Sequence, residues 1–453
     1  MSLMPNQASH IPSYLIIGLG QTGLSCVRFL VKQGYTVAVM DTREQPPGLV
    51  TLQTEYPEVI IHVGGLDSDW LKQADVIVIS PGVDPRIPEI VAARSAGIEL
   101  VGDIELFARY ANAPIVAITG SNGKSTVTTL LAEMVVQAGQ TMRVGGNLGT
   151  PALDLLCEPA PDFYIVELSS FQLETVTSLN AFAATVLNVS PDHLDRYDSV
   201  QDYQMAKERI FNGDGVMVIN RDDLIVNKLE RPNRNQISFG LKASEGVDFG
   251  VIDKNGKQWL AEGHQTLIAV EDLKIVGKHN TANALAALAL GSAMGLPMPD
   301  MLDALKQYSG LPHRCRLVAD NKQIRWFNDS KATNVGASIA AIEGLESSGR
   351  IILIAGGVGK DQDFSVLTST LKQHVHTVIL IGRDSKLIAK VVPEEVKIYY
   401  AITMHDAVTK AQEIASVGDS ILLSPACASF DMFSGYDERG NVFEAAVEAI
   451  AYE

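Results

Sequence analysis

The chain has 453 residues, too many for one ordinary hydrophobic core, and about three domains is the expectation. With 46% apolar and 20% charged residues it is not disordered, and the apolar stretch 279–299, free of Asp, Glu, Lys and Arg, is broken by asparagines, a serine and two prolines, so no membrane span is expected. A net charge of −17 argues against a nucleic-acid surface and makes any polyanionic ligand depend on Lys, Arg and metal gathered at its site.

Apolar runs at Tyr14–Ile17, Thr36–Met40 and Val76–Ile79 alternate with helical stretches, which predicts a parallel βαβ sheet over 14–102. The first run ends in Gly18-Leu19-Gly20-Gln21-Thr22-Gly23, and Asp41 ends the second. A glycine turn of this form needs only a diphosphate at a helix N-terminus, so NAD and a nucleotide-sugar diphosphate both remain open here. Ser80-Pro81-Gly82 closes the third run.

A second α/β pattern begins near Pro114 with Ile115-Val116-Ala117-Ile118-Thr119-Gly120-Ser121-Asn122-Gly123-Lys124-Ser125-Thr126. Strand, glycine turn, Lys-Ser and helix suit a triphosphate. Backbone N–H groups face it, Lys124 reaches its outer oxygens and the Ser125 hydroxyl ligates Mg²⁺. Gly120 precedes Gly123 by three residues, shorter than the Walker A spacing. Glu167 ends the run Phe163–Glu167 at a usual position for a Mg²⁺ ligand, and Asp192-His193-Leu194-Asp195 packs metal-competent side chains into a turn. On composition, Lys207 looks like an exposed helix lysine. The stretch 231–266 reads as hairpins or loops, and an alanine-rich helix from about Thr281 to Met294 closes the pattern.

Pro297, Pro299, Gly310 and Pro312 punctuate the next junction. Beyond it, runs at Arg350–Ala355, Val378–Ile381 and Ser420–Ser424 predict another parallel sheet. Arg314, Asp329, Lys331, Thr333, Lys360 and Ser429 fall near the C-terminal ends of strands, where open parallel sheets place ligands. Cys26, Cys157, Cys315 and Cys427 lack metal or redox spacing and read as small core residues in a reducing cytoplasm. The N-terminus has no cationic segment leading into an apolar core, so no secretory signal is expected.

Taken together, these motifs resemble the Mur ligases. The resemblance runs from Tyr14 onward and rests on Thr119–Thr126, Glu167-Leu168-Ser169-Ser170-Phe171-Gln172-Leu173-Glu174, Asp192–Tyr197, His279-Asn280-x-x-Asn283-Ala284, His313-Arg314, Asn328–Asn334 and Ser424–Ser429. It explains the short phosphate loop. It implies three α/β domains: a Rossmann-like UDP-substrate domain (1–102), a central P-loop ATPase domain (103–310) and a Rossmann-like amino-acid-binding domain (311–453). The implied reaction is ATP-dependent addition of D-glutamate to UDP-N-acetylmuramoyl-L-alanine through an acyl phosphate, in a cytoplasmic monomer making peptidoglycan precursors.

The resemblance also implies roles. Gly120, Ser121, Asn122, Gly123, Lys124, Ser125, Thr126, Asn280, Asn283, Arg314, Asp329 and Lys331 would bind ATP. Ser125, Glu167, His193 and Lys207, the last as a carbamate, would serve two Mg²⁺ sites, with Lys124, Glu167, His193 and Lys207 as the catalytic set. Gly20, Gln21, Thr22, Asp41, Thr42, Ser80, Gly82, Asn147 and His193 would hold the UDP-substrate, and Thr333, Lys360, Ser429 and Tyr436 the D-glutamate. Two departures stand out: Arg316 replaces the carboxylate expected after Arg314, leaving that arginine without its partner, and Tyr436 replaces a phenylalanine. The C-terminal domain is expected to close over ATP about a hinge near Gly310. A Mur-type ligase of other amino-acid specificity, or an NAD-dependent oxidoreductase with a regulatory ATP site, is the alternative.

Overall fold

The computed structural model describes residues 14–190, 192, 196–243, 245–246, 248–321, 323–345 and 349–451. Three sheets follow one another along the chain. In the first, five parallel strands run in the order Ile60–Val63, Val37–Asp41, Tyr14–Ile17, Val76–Ile79, Glu99–Gly102. Strand order reverses at Tyr14–Ile17, so the turn after it and the loop after Val76–Ile79 open side by side at one sheet edge, a ligand-binding position in such folds.

The central sheet has nine strands. From one edge they run Met142–Gly146, Phe163–Glu167, Ile115–Thr119, Ala183–Val186, Val216–Asn220, Gln236–Phe239 and Phe249–Lys254, all parallel, before Lys257–Glu262 and Gln265–Ala269 add antiparallel pairs. The stretch 231–266 is therefore part hairpin and part parallel strand. Helices Lys124–Gln137 and Lys278–Ala293 pack together on this sheet. The second is apolar nearly all round, and residues 284–290 are wholly buried.

The third sheet runs Arg316–Asn321, Ile324–Asn328, Ser420–Leu423, Ile351–Gly356, Val375–Ile381, Lys397–Tyr400, with only the first pair antiparallel. It has its own apolar clusters on its two faces. By contrast one continuous core joins the first sheet to the central one, passing from Ile16 and Val39 through Phe107 of helix Asp103–Tyr110 to Tyr164 and Phe211. Phe107 and Tyr164 meet edge-to-face with centroids 5.2 Å apart. All four cysteines are free; three are buried as expected, but Cys157 is exposed. No helix among the described residues is long and apolar enough to cross a membrane.

Candidate active site

The turn after Ile115–Thr119 is shaped by its glycines. Gly123 has φ +84°, and a Cβ there would overlap Asn283 Oδ1 from helix Lys278–Ala293. Asn188 grips the loop, its Oδ1 accepting from Asn122 N (2.8 Å) and its backbone oxygen from Ser121 N (2.9 Å). Lys124 folds back so that its Nζ donates to Gly120 O (2.8 Å) and Ser121 O (3.1 Å).

Lys207 is not the exposed lysine that its neighbours suggest. It is 1% exposed, and its Nζ lies 4.4 Å from the centre of the Tyr203 ring and donates to Gly120 O (3.1 Å). Burial, reinforced by Lys124 nearby, pushes its pKa well below the usual lysine range. Glu167 is buried at the end of its strand. Its Oε1 accepts from Asn147 Nδ2 (2.7 Å), while Oε2 has no hydrogen-bond partner among the described residues. A buried, half-satisfied carboxylate beside the Gly120–Gly123 turn is costly unless something cationic completes it. That donor set fits Mg²⁺, which would take Glu167 and Ser125 as oxygen ligands. His193 lies outside the described residues, and among those described no three His, Cys, Asp or Glu side chains form a metal cluster.

A cleft of about 320 Å³ separates the central and third sheets. Asn122, Gly123, Thr126, Asn280, Asn283, Arg314, Asp329 and Lys331 all line it, so most of the residues that the resemblance assigns to ATP meet there. The missing carboxylate partner of Arg314 is replaced by a hydroxyl: Nη2 donates to Ser125 Oγ at 2.7 Å. Arg316 is exposed. His279 had no role of its own in the sequence reading. Its buried ring contacts helix Val335–Gly344 of the third domain, with Nδ1 3.1 Å from Ala340 O, and burial lowers its pKa to about 4. As the neutral form its Nδ1–H donates to that carbonyl.

In the third domain Asp329 is buried, accepting from Ser424 Oγ (2.8 Å) and Cys315 N (3.1 Å). Burial outweighs those donors and raises its pKa to about 7. Lys331 Nζ donates to the Tyr436 hydroxyl (3.0 Å). A bridge between Val358 and Ala428 brings the loops of exposed Lys360 and buried Ser429 together. Arg439, which the sequence reading missed, is 1% exposed beneath them and donates to Ser330 Oγ (2.9 Å), Ser330 O (2.7 Å) and Cys427 O (3.0 Å). Thr333 sits half-buried in the loop leading to Asn334, which caps helix Val335–Gly344 and donates to Asp192 Oδ2 at 3.4 Å.

At the first sheet, Gly20 precedes helix Gln21–Lys32, which Gln21 and Thr22 begin, and a Cβ on Gly20 or Gly82 would meet only open space. A Cβ on Gly23 would collide with Gly18 O. Ser80 Oγ donates to Gly18 O (2.8 Å), tying the two loops together. The Asp41 carboxylate is committed within the chain: it accepts from Leu19 N (2.7 Å) and from Arg43 N, Nε and Nη2 (2.9, 2.8 and 2.6 Å). Burial would raise its pKa, but these donors hold it below the usual carboxylate range. Asp41 thus presents Arg43, half-exposed, rather than its own oxygens, while Thr42 is exposed beside it. Arg196 spans the first and central domains, pairing with Glu174 (2.7 Å), stacking on Phe171 (4.6 Å) and donating to Pro81 O (3.5 Å).

Profiles of three families match this chain in order: the N-terminal domain of MurD-like Mur ligases at residues 12–102, the Mur ligase middle domain at 118–291 and the Mur ligase glutamate ligase domain at 313–427. The chain belongs to the Mur ligase family. It is 51% identical over 446 residues to a UDP-N-acetylmuramoylalanine–D-glutamate ligase of Nitrosococcus oceani, covering 98% of each chain. A ligase of the same name from Pseudomonas aeruginosa is 51% identical over 439 residues, covering 96% of this chain and 98% of its own. Among solved structures, a pseudomurein peptide ligase type C from Methanothermus fervidus superimposes with a TM-score of 0.62 at 19% identity, over 97% of this chain and 100% of that one. UDP-N-acetylmuramate–alanine ligase from Thermotoga maritima gives 0.58 at 19% identity, with the same shares covered. Those two share the fold: this Mur ligase has the three-domain α/β architecture with mostly parallel sheets.

Proposed function

We infer that this Mur ligase adds D-glutamate to UDP-N-acetylmuramoyl-L-alanine, with cleavage of ATP to ADP and phosphate, as a cytoplasmic monomer in peptidoglycan precursor synthesis. Identity of 51% across 98% of a ligase named for that reaction carries the reading. The domain boundaries follow as 1–102, 103–310 and 311–453, with the first domain a Rossmann-like platform for the uridine diphosphate, the second a P-loop ATPase and the third a Rossmann-like amino-acid domain.

The chemistry suits these residues. A carboxylate does not condense with an amine in neutral water, because its oxygen is a poor leaving group. The alanyl carboxylate oxygen therefore takes the γ-phosphoryl group of ATP, releasing ADP. The amine of D-glutamate next attacks the acyl carbon, loses a proton, and expels phosphate to leave the amide. Anions meet in both steps, so positioned cations and donors dominate catalysis. Lys124 and the amides of residues 120–126 would hold the phosphates, with Asn280 and Asn283 toward the base. Arg314, Lys331 and Asp329 would reach the nucleotide from the other wall of the cleft. Mg²⁺, when bound by Ser125, Glu167, His193 and Lys207 as its carbamate, supplies charge neutralisation between the phosphates and the carboxylate. Gly20, Gln21, Thr22, Thr42, Ser80 and Gly82 would seat the uridine diphosphate, Arg43 lending the charge that Asp41 orients. Asn147 and His193 would face the sugar-peptide end. Lys360, Thr333, Ser429 and Tyr436 would hold D-glutamate, whose two carboxylates need a cation and hydroxyl donors.

Phosphate release with ATP, UDP-N-acetylmuramoyl-L-alanine and a panel of amino acids tests the reading. D-glutamate should be required. Equal release with L-glutamate or diaminopimelate would redirect the specificity, and NADH oxidation without ATP would overturn the ligase assignment.

A further inference from the structure

Tyr436 stands where the resemblance expects phenylalanine, and the structure gives its extra oxygen a partner. The hydroxyl accepts from Lys331 Nζ at 3.0 Å, and the same ammonium lies 4.5 Å from the centre of the Tyr436 ring. Lys331 is thus held twice by one side chain, through a charge-assisted hydrogen bond and a cation–π contact. The backbone of Tyr436 is fixed as well: its carbonyl accepts from Ser330 Oγ (2.7 Å), one residue before Lys331. Its ring also meets His313 edge-on with centroids 6.3 Å apart, and His313 adjoins Arg314. Lys331 itself lines the nucleotide cleft with Arg314 and Asp329, whereas Tyr436 opens the last helix, Tyr436–Ala451.

A phenylalanine would keep the ring and lose the hydrogen bond. A lysine with four rotatable bonds then regains freedom that must be given up again whenever it meets a phosphate. We propose that the Tyr436 hydroxyl is a positioning group for Lys331, holding its ammonium toward the nucleotide phosphates and so joining the amino-acid pocket to the ATP cleft. Tyr436 acts on the nucleotide through Lys331, and the hydroxyl is a device of this chain beyond the ring that the resemblance accounts for.

The proposal rests on the ATP-dependent reading of the cleft, and the experiment separates the two. The parent enzyme is first assayed for D-glutamate-dependent phosphate release; its absence would sink the functional reading and not this one. In Tyr436→Phe, KM for ATP should rise about tenfold, the scale of one hydrogen bond to a charged group, while KM for D-glutamate changes less. Calorimetric titration with a non-hydrolysable ATP analogue should show the same loss. Lys331→Ala should weaken analogue binding too, and adding Tyr436→Phe to it should cost nothing more, since the bond is already gone. Unaltered analogue affinity in Tyr436→Phe would overturn the proposal, as would an equal effect of Tyr436→Phe with and without Lys331. Thermal unfolding of each variant identifies any loss due to misfolding. If Tyr436→Phe proves unstable, Tyr436→Leu in the parent and in Lys331→Ala gives the same comparison.

Discussion

Arg314 Nη2 and Ser125 Oγ meet at 2.7 Å, joining residues 189 apart in sequence across the cleft between the central and third domains. The hydroxyl sits at the first turn of helix Lys124–Gln137, beside the Gly120–Gly123 turn, so on the ligase reading the guanidinium points where phosphate oxygens would lie. Planar, bidentate donors suit phosphate better than a lysine ammonium. Arg314→Ala should therefore raise KM for ATP by about tenfold or more, and Arg314→Lys should recover only part of it. Initial rates with ATP and the UDP-substrate varied separately check this; an equal rise for both substrates would point to a damaged fold instead.

Burial pushes the Lys207 pKa down and so favours its neutral amine, and a neutral amine can add to carbon dioxide, losing a proton to become a carbamate anion. Lys207→Ala should lower turnover by about a hundredfold or more, the range for removing a group that acts in the transition state. Short carboxylates added to the assay should restore part of it. Full activity in the variant would remove Lys207 from the mechanism.

The raised pKa of Asp329 has a stability consequence with a definite sign. Its pKa climbs from 3.8 to about 7 on folding, so the folded chain holds the proton more tightly. Stability from this group is full below about pH 4 and is lost as pH rises through 7. Asp329→Asn removes the buried charge. The variant should gain about 1–3 kcal/mol relative to the parent between pH 5 and pH 8, at about 1.4 kcal/mol per unit, while its activity falls. Denaturant unfolding at the two pH values measures the difference, and a gain independent of pH would contradict it.

Gly344 leaves room for His279. A Cβ on Gly344 would come 2.6 Å from the ring Nδ1, which now bonds Ala340 O. Gly344→Ala should push the ring away, loosen the contact between domains and raise KM for ATP several-fold, on the scale of one lost hydrogen bond. His279→Ala should do the same, and the pair together should cost little more than either alone. Steady-state kinetics of the three variants decides it; fully additive effects would separate the two residues.

What the sequence made legible was set by near neighbours. A glycine turn between a strand and a helix has few backbone solutions, and Gly123 adopts one of them at φ +84°. The Asp41–Arg43 pair is equally local, two residues apart, yet the sequence pointed to Asp41 alone as a ligand and Arg43 was passed over. Lys207 was not readable. Its burial comes from Thr119, Gly120 and Tyr203 closing round it, and its position on helix Val200–Glu208 looks like any polar one. Arg439 was hidden likewise, since its partners Ser330 and Cys427 come from other strand ends. The substitution at Arg316 showed that Arg314 lacked a local carboxylate, but only the pose of the domains could show that a distant hydroxyl takes its place.

The unbroken apolar packing between the first and central domains fixes the span from the Gly18–Gly23 turn to the Gly120–Gly123 turn. On the ligase reading the molecule is then a ruler. A sugar nucleotide anchored at its uridine end would present its carboxylate to the phosphoryl donor only when its peptide is of one length. A stem one amino acid short or long would bind and yet fall out of register. Selection for the stage of the growing precursor would thus be settled by distance, before the third domain tests which amino acid has arrived.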